Sequence, residues 1–366
     1  MSNTLGTAVR VTIFGESHGP AIGAVIDGLP PGLKVDTGYI EAELSKRSAR
    51  GSISTARKEP DAPEFLSGVK DGFTEGTPLT IVIRNTNVKS SDYSLMSHVA
   101  RPSHADYTAQ AKYLGFQDAA GGGHFSGRLT APLVAAGAIL KQALEEKGIL
   151  IGTHIARLGS AEDRGFGADL AEDIKKLDEE YFPVLDEGAA KLMEQEINSA
   201  ASEQDSVGGV LETAITGLEA GLGEPMFGTF EGELAKALFA IPAVKGVEFG
   251  AGFALGSMRA SQANDPFAVE NGRIVTTSNN SGGINGGITN GMPVIFRTAV
   301  KPTASISRPQ KTADFIEMKD TEIKIEGRHD PAIVHRARAV VDAAAAIVTA
   351  DFIARRWGYM VLRNKP

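Results

Sequence analysis

Short apolar runs broken by glycine and proline alternate along this chain with longer alanine-rich stretches of helical period. Val9–Phe14 and Ala24–Ile26 predict short strands, the first running straight into Gly15-Glu16-Ser17-His18-Gly19. Leu29-Pro30-Pro31-Gly32-Leu33 predicts a turn. Thr37–Arg47 carries Ile40, Leu44 and Arg47 on one side of a helix. Leu79–Arg84 predicts a strand, Asp106–Leu114 a helix, and Thr130–Glu146 an alanine-rich helix buried on most faces. Ala168–Ala201 predicts one or two surface helices interrupted near Pro183. Val210–Ile215, Val247–Leu255, Met292–Ala299 and Ile323–Ile325 predict strands, and Arg336–Arg356 a second long alanine-rich helix. Strands and helices do not alternate strictly, which favours an α+β fold with the buried helices lying between sheets. Ile22–Leu33 faintly echoes Val207–Leu222; internal duplication and chance similarity in a glycine-rich chain both account for this.

The 366 residues allow one large domain or two, and 42% hydrophobic residues with a mean hydropathy of −0.08 suit a globular chain. The 42 glycines, about one residue in nine, predict many tight turns and close backbone approaches. With no cysteine, disulfides and thiolate-held metals are excluded. The apolar runs Leu129–Leu140 (broken by Pro132) and Ala343–Ala350 fall short of the ~20 residues of a membrane span. No targeting segment is visible, so the expected location is cytoplasmic. Residues 161–205 hold fourteen acidic and four basic side chains, a local balance of −10 against −8 for the whole chain. The remainder is therefore mildly basic, and the acidity belongs to a solvated helical excursion rather than to a nucleic-acid or membrane partner.

Four of the seven histidines sit in glycine- or arginine-rich strings. They are His18 in Gly15–Gly19, His104 in Arg101–Asp106, His124 after Gly121-Gly122-Gly123, and His329 in Gly327–Pro331. Imidazole exchanges protons near neutrality, and guanidinium forks match phosphate and carboxylate. The pairing points to proton transfer beside a multiply charged anion. Gly282-Gly283-Ile284-Asn285-Gly286-Gly287-Ile288 is either a flexible loop or a surface that lets backbone amides approach a phosphate or flat ring. Neither a dinucleotide fingerprint nor a P-loop is present. Helix-borne zinc spacing and a hydrolase nucleophile elbow are missing too.

Taken together in order, these strings resemble the chorismate synthase family over nearly the whole chain. The matching stretches are Phe14–Gly19 with Asp27-Gly28, Arg57-Lys58-Glu59-Pro60-Asp61, Arg101–Tyr107, Gly121–Arg128, and Gly221–Pro225. They continue through Ala243–Glu248, Ser278–Gly287, Lys301-Pro302-Thr303 and Gly327–Pro331. The resemblance implies a β-α-β sandwich, with alanine-rich helices between antiparallel sheets, in one domain over 1–366. It also implies trans-1,4 elimination of phosphate and a ring proton from 5-enolpyruvylshikimate 3-phosphate, giving chorismate. That lyase reaction requires reduced FMN without net redox change.

Residue by residue, the resemblance implies His18 and His104 as proton carriers, with Asp330 helping the flavin N5 accept the substrate proton. It implies Arg47, Arg57, Arg101, Arg128 and Arg328 as anion binders. His124, Phe125, Ser126, Pro242, Ala243, Gly286, Lys301, Pro302, Thr303, Ala304, Ser305 and Arg328 match flavin-contacting stretches. Arg47 also matches a nicotinamide-cofactor contact in some members, so NADPH or another external reductant is expected to reduce the flavin. A homotetramer is expected on the same ground. The chain departs from the commoner pattern at Ser52, where many relatives carry a cation for which Arg50 is a candidate substitute. It departs again at His124-Phe125, where an Arg-Ser pair is commoner, and at Leu129, where a glutamate is. An NAD(P)H-dependent flavin reductase and a non-catalytic binder of a phosphorylated metabolite are the rival readings; the second leaves His18, His104 and Asp330 without purpose.

Overall fold

The computed structural model of the chain describes residues 3–50, 53–54, 61–86, 97–325 and 329–363. The first half contributes β1 (Thr4–Leu5), β2 (Arg10–Gly15), β3 (Ala21–Asp27), α1 (Thr37–Arg47), β4 (Pro63–Ser67) and β5 (Leu79–Arg84). After them come α2 (Asp106–Tyr113) and α3 (Thr130–Glu145). The second half contributes β6 (Leu150–Leu158), β7 (Ala161–Glu162), α4 (Leu170–Glu179), α5 (Glu187–Ser202) and β8 (Gly209–Thr216). It continues with α6 (Phe230–Phe239), β9 (Val244–Phe249), β10 (Val294–Val300), the hairpin β11 (Gln310–Asp314) and β12 (Lys319–Ile323), and α7 (Val334–Trp357).

Two five-stranded antiparallel sheets result, ordered β1-β2-β3-β5-β4 and β9-β10-β8-β6-β7. Four strands of each share one plan, because β2-β3-β5-β4 and β6-β8-β10-β9 have the same order along the chain and across the sheet. α1 and α3 follow β3 and β5 as α6 and α7 follow β8 and β10. The echo between Ile22–Leu33 and Val207–Leu222 therefore falls on the matching strands β3 and β8. Each of these strands ends at a glycine of positive φ, Gly28 (+91°) and Gly217 (+81°). A Cβ there would lie 1.9 Å from the Ala8 carbonyl oxygen and 2.2 Å from that of Gly148, so no other residue closes either turn.

α3 packs on the first sheet, α7 on the second, and the two helices pack on each other between the sheets. Their alanine content has a direct physical cause: a Cβ on Gly137 would stand 2.4 Å from the Cβ of Ala343, so only small residues let the backbones approach this closely. Pro132 is tolerated because it lies in the first turn of α3. One continuous apolar core runs from Val9 through both helices to Leu362. Asp351 of α7 accepts N–H bonds from Thr7, Ala8 and Val9, which ties the turn between β1 and β2 to the last helix. No helix among the described residues is long and apolar enough to cross a membrane.

The strand expected over Val247–Leu255 is shorter and earlier. It spans Val244–Phe249, and Gly250 and Gly252, both at positive φ, turn the chain into a 3-10 segment. The acidic stretch forms α4 and α5, with Pro183 between them.

Candidate active site

Three consecutive glycines bring two of the histidine strings together. Gly121, Gly122 and Gly123 all have positive φ, in a loop between α2 and α3. A Cβ on Gly121 would stand 2.0 Å from His18 Cε1 and 2.7 Å from Ser17 Oγ. A Cβ on Gly122 would stand 3.2 Å from His104 Cε1 and 3.4 Å from its Nε2. The loop is thus a shared floor, with His18 resting on one residue and His104 on the next. Gly123 completes it by accepting the Ser17 N–H at 3.2 Å.

Ser17 Oγ lies 2.9 Å from His18 Nδ1 and donates toward the carbonyls of Ala120 and Gly121 at 3.3 and 3.2 Å. With the hydroxyl proton spent on a carbonyl, Oγ accepts from Nδ1–H, which fixes the orientation of the His18 ring. Asn85 staples the same turn: its Nδ2 donates to Glu16 O (3.0 Å) and Gly19 O (2.8 Å), while its Oδ1 accepts from Arg128 Nε (3.1 Å). His124 lies 2.9 Å through Nδ1 from the Gly15 carbonyl oxygen, which it bonds from beneath the turn.

His104 Nδ1 lies 2.7 Å from Asp106, whose carboxylate also receives Nη2 (2.7 Å), Nε (2.8 Å) and backbone N (2.9 Å) of Arg101. Burial raises the Asp106 pKa, but the bonds from Arg101 and His104 outweigh it and hold the carboxyl well below its usual range. β11 supports this segment from behind, through the Ala100 N–H to the Ala313 carbonyl (3.2 Å) and the Thr312 hydroxyl to the Ala100 carbonyl.

Arg47 and Arg128 meet on one carboxylate, each donating an Nη1–H to Asp61. All three side chains are nearly buried, with side-chain exposures of 10%, 8% and 6%. Burial lowers the Arg47 pKa, Asp61 opposing it and Arg336 and Arg128 adding to it. Arg336 joins Asp330 to this group by donating Nη1 to the Asp330 carboxylate and Nε to the Arg47 carbonyl, both at 2.8 Å.

The remaining expected residues form two further sets. Lys301 N–H bonds the Ala243 carbonyl at 2.9 Å, and the Thr303 carbonyl accepts from Ser206 Oγ at 2.8 Å. The adjoining Val207 N–H bonds the Pro331 carbonyl at 2.8 Å, linking this loop to the Asp330 segment. Ala243 has φ +74°, strained for a residue with a side chain. Burial, with Lys245 nearby, lowers the Lys301 pKa. Pro242 is exposed, and Ala304 and Ser305 follow Thr303 in irregular chain. Gly286 sits exposed on a separate turn, with nothing within 4 Å of a built Cβ. Phe125 is edge-on to Tyr113, and Ser126 accepts from the Arg128 N–H at 3.3 Å. Arg50 engages Tyr181: the guanidinium lies 5.3 Å from the ring centroid, and the backbone N–H bonds the hydroxyl. Arg57, Arg328 and Ser52 lie outside the described residues.

Sequence reasoning did not single out Asn85, Asp106, Asp61 or Arg336 as site groups. Asp106 and Asp61 lie within strings that were read, and a carboxylate two residues after His104 was the available signal. Asn85 carries no such signal, its partners lying 43 to 69 positions away, and Arg336 lies six residues from Asp330 but 289 from Arg47.

A family model described as chorismate synthase matches residues 9–354. A chorismate synthase from Pyrococcus abyssi is 47% identical over 348 residues, 95% of this chain and 96% of the relative. One from Dehalococcoides mccartyi is 48% identical over 359 residues, 97% of each chain. A crystal structure of chorismate synthase superposes with a TM-score of 0.76 at 28% identity, covering 96% of this chain and 94% of the other. The family model over residues 9–354 and relatives of this identity and coverage lead to one assignment: the chain belongs to the chorismate synthase family.

Proposed function

We propose that the pocket above Gly121–Gly123 carries out the family's lyase reaction on 5-enolpyruvylshikimate 3-phosphate, releasing phosphate and a ring proton to form chorismate. One carbon–oxygen and one carbon–hydrogen bond break, with no net oxidation. The observation that carries the reading is the convergence of His18 and His104 on adjacent glycines, beside Arg101 and near the Arg47–Asp61–Arg128 group.

Arg47, Arg101 and Arg128 bind the phosphate and carboxylates of the substrate, with Arg57 and Arg328 completing the set. Asp61 orders two of these guanidiniums before the substrate arrives, so little side-chain entropy is lost on binding. His18, oriented through Ser17, moves a proton at Nε2 toward the leaving region, and His104 is the second carrier. Asp330, its carboxylate fixed by Arg336, assists removal of the ring proton. Acid–base help of this kind contributes roughly 10²–10⁴-fold for each group.

The residues present fit reduced flavin mononucleotide. Thr303 Oγ1 is buried without a partner among the described residues. Lys301 offers a cation two residues away, and bare backbone stands at Gly286. An unsatisfied hydroxyl, a cation and an uncovered peptide plane are the donor set that a phosphate tail and a flat ring require. His124, Phe125, Ser126, Pro242, Ala243, Gly286, Lys301–Ser305 and Arg328 would hold the cofactor. Bound there, reduced flavin would supply the transient electron density that departure of phosphate requires. NADPH, for which Arg47 would be a contact, or another external reductant would supply the electrons that reduce the flavin.

We read residues 1–366 as one cytoplasmic domain, which its continuous core supports. Exposed Phe116 (93%), Phe227 (96%) and Phe253 (88%) favour a homotetramer, for which light scattering should give about four times 38.4 kDa. The decisive assay is anaerobic, with dithionite-reduced flavin and the phosphorylated substrate. Chorismate and phosphate should appear in equal amounts, and neither with oxidised flavin. Tight flavin binding without product would overturn the reading.

A further inference from the structure

We propose that Asp106 is a positioning residue for this reaction: it fixes His104 as the Nδ1–H tautomer, so that the proton moves at Nε2, and holds Arg101 with one edge turned to the anion. The proposal rests on the reading of His104 as a proton carrier.

Asp106 opens α2, where the helix dipole favours a carboxylate. Its side chain is 9% exposed, and its oxygens take four donors: three from Arg101 and one from His104. Nδ1 of His104 also lies 2.9 Å from Arg101 Nη2. A guanidinium only donates, so two proton arrangements are conceivable: Nδ1 accepts from Arg101, or it donates to Asp106. The first would set a nitrogen lone pair 2.7 Å from an ionised oxygen, which is repulsive. The second is a charge-assisted bond of ordinary length. The depressed pKa of Asp106 supports it, since the carboxylate stays ionised over any working pH.

The backbone agrees with this arrangement. Ser103 takes φ +59°, and the His104 N–H bonds the Arg101 carbonyl at 3.1 Å, folding the ring back over Asp106. The opposite ring edge, Cε1 and Nε2, rests over Gly122, where a side chain would crowd it. Arg101 spends Nε and one Nη2–H on Asp106, so Nη1 is the end that meets the ligand. The exchanged proton therefore travels on Nε2 while Nδ1–H stays with Asp106, and no other bond changes.

Two-bond proton–nitrogen correlation spectra of protein labelled with ¹⁵N-histidine test this without substrate, His104→Gln assigning the signal. Neutral His104 should give the Nδ1–H pattern in the unaltered protein. In Asp106→Asn it should move toward Nε2–H, with kcat at least about 100-fold lower. An Nε2–H ring in the unaltered protein overturns the proposal, and that result needs no variant that folds. Asp106→Asn with the tautomer and kcat both unchanged overturns it as well. An Nδ1–H ring in protein that fails to turn over would sink the proton-carrier reading first, and the catalytic meaning of Asp106 with it.

Discussion

His18 and His104 differ from His154 and His335 in burial and in the floor they rest on. Each of the first pair is partly buried, has Nδ1 engaged by Ser17 or Asp106, and lies on glycine. His154 of β6 is fully buried, with Nδ1 2.9 Å from Asp163 and Nε2 3.1 Å from Glu212. Asp163 in turn accepts N–H bonds from Leu185 and Asp186, so His154 fastens the acidic excursion to the second sheet. His335 is fully buried against Phe182 and Tyr181, its Nε2 2.9 Å from Ser54 Oγ. The lesson is that an imidazole oriented through Nδ1 in a partly open, glycine-floored site is placed for chemistry, whereas one clamped between two carboxylates or completely buried is part of the frame.

The two pairs should separate cleanly under mutation. His18→Ala and His104→Ala should each lower kcat by roughly 10²–10⁴-fold while the unfolding midpoint stays near that of the unaltered protein. His154→Ala should do the reverse. Removing it takes the shared imidazole donor from two largely buried carboxylates, at a cost of ~3–5 kcal/mol in denaturant unfolding, with kcat of the surviving folded protein little changed. Turnover lost in His154→Ala at full stability would break the distinction.

pH should pull the frame pair in opposite directions. Burial lowers the His335 pKa to about 3, helped by Arg336 and Arg338. Its contribution to stability is therefore complete above the unfolded pKa of 6.5 and lost as pH falls toward about 3. That loss is on the order of 5 kcal/mol, so His335→Gln should flatten the acid side of the stability profile. For His154, burial lowers the pKa, but the bonds to Asp163 and Glu212 outweigh it and the net shift is upward. Its contribution is complete below pH 6.5 and fades as pH rises through the raised value. Below pH 6.5 the two variants should thus diverge from the parent in opposite senses, His335→Gln losing less stability than the parent as pH falls and the His154→Ala deficit being largest there and shrinking as pH rises.

The smallest effect is expected at Gly286. Alanine there meets no atom within 4 Å but must hold φ +63°, so stability should fall by ~1 kcal/mol and flavin affinity more noticeably. Gly121→Ala, whose Cβ would enter the His18 ring, should instead behave like His18→Ala.

Much of the frame was legible where a periodic run carried its own boundary signals. The Thr37–Arg47 helix has its expected bounds, because Ile40, Leu44 and Arg47, spaced along one face, are all buried. Leu79–Arg84 was bounded as cleanly. β6 was missed because Thr153 and His154 are polar yet fully buried, so neither alternation nor a continuous apolar run marks the strand. α6 is short and follows a glycine-rich stretch, although Thr229 caps it. At the site, glycine beside histidine was visible as a string, but the reason was not: Gly121 is glycine because His18, 103 positions earlier, occupies the space of its Cβ. Pairings such as Asn85 with the His18 turn exist only once the sheets have formed.

The most direct test of the site is the anaerobic turnover of His18→Ala beside the unaltered protein, both checked for equal thermal stability and supplied with reduced flavin. The account predicts stoichiometric chorismate and phosphate from the unaltered protein and a rate at least about 100-fold lower from the variant. A variant rate within a few-fold of the parent would contradict it, and would move the chemistry away from the Gly121–Gly123 floor.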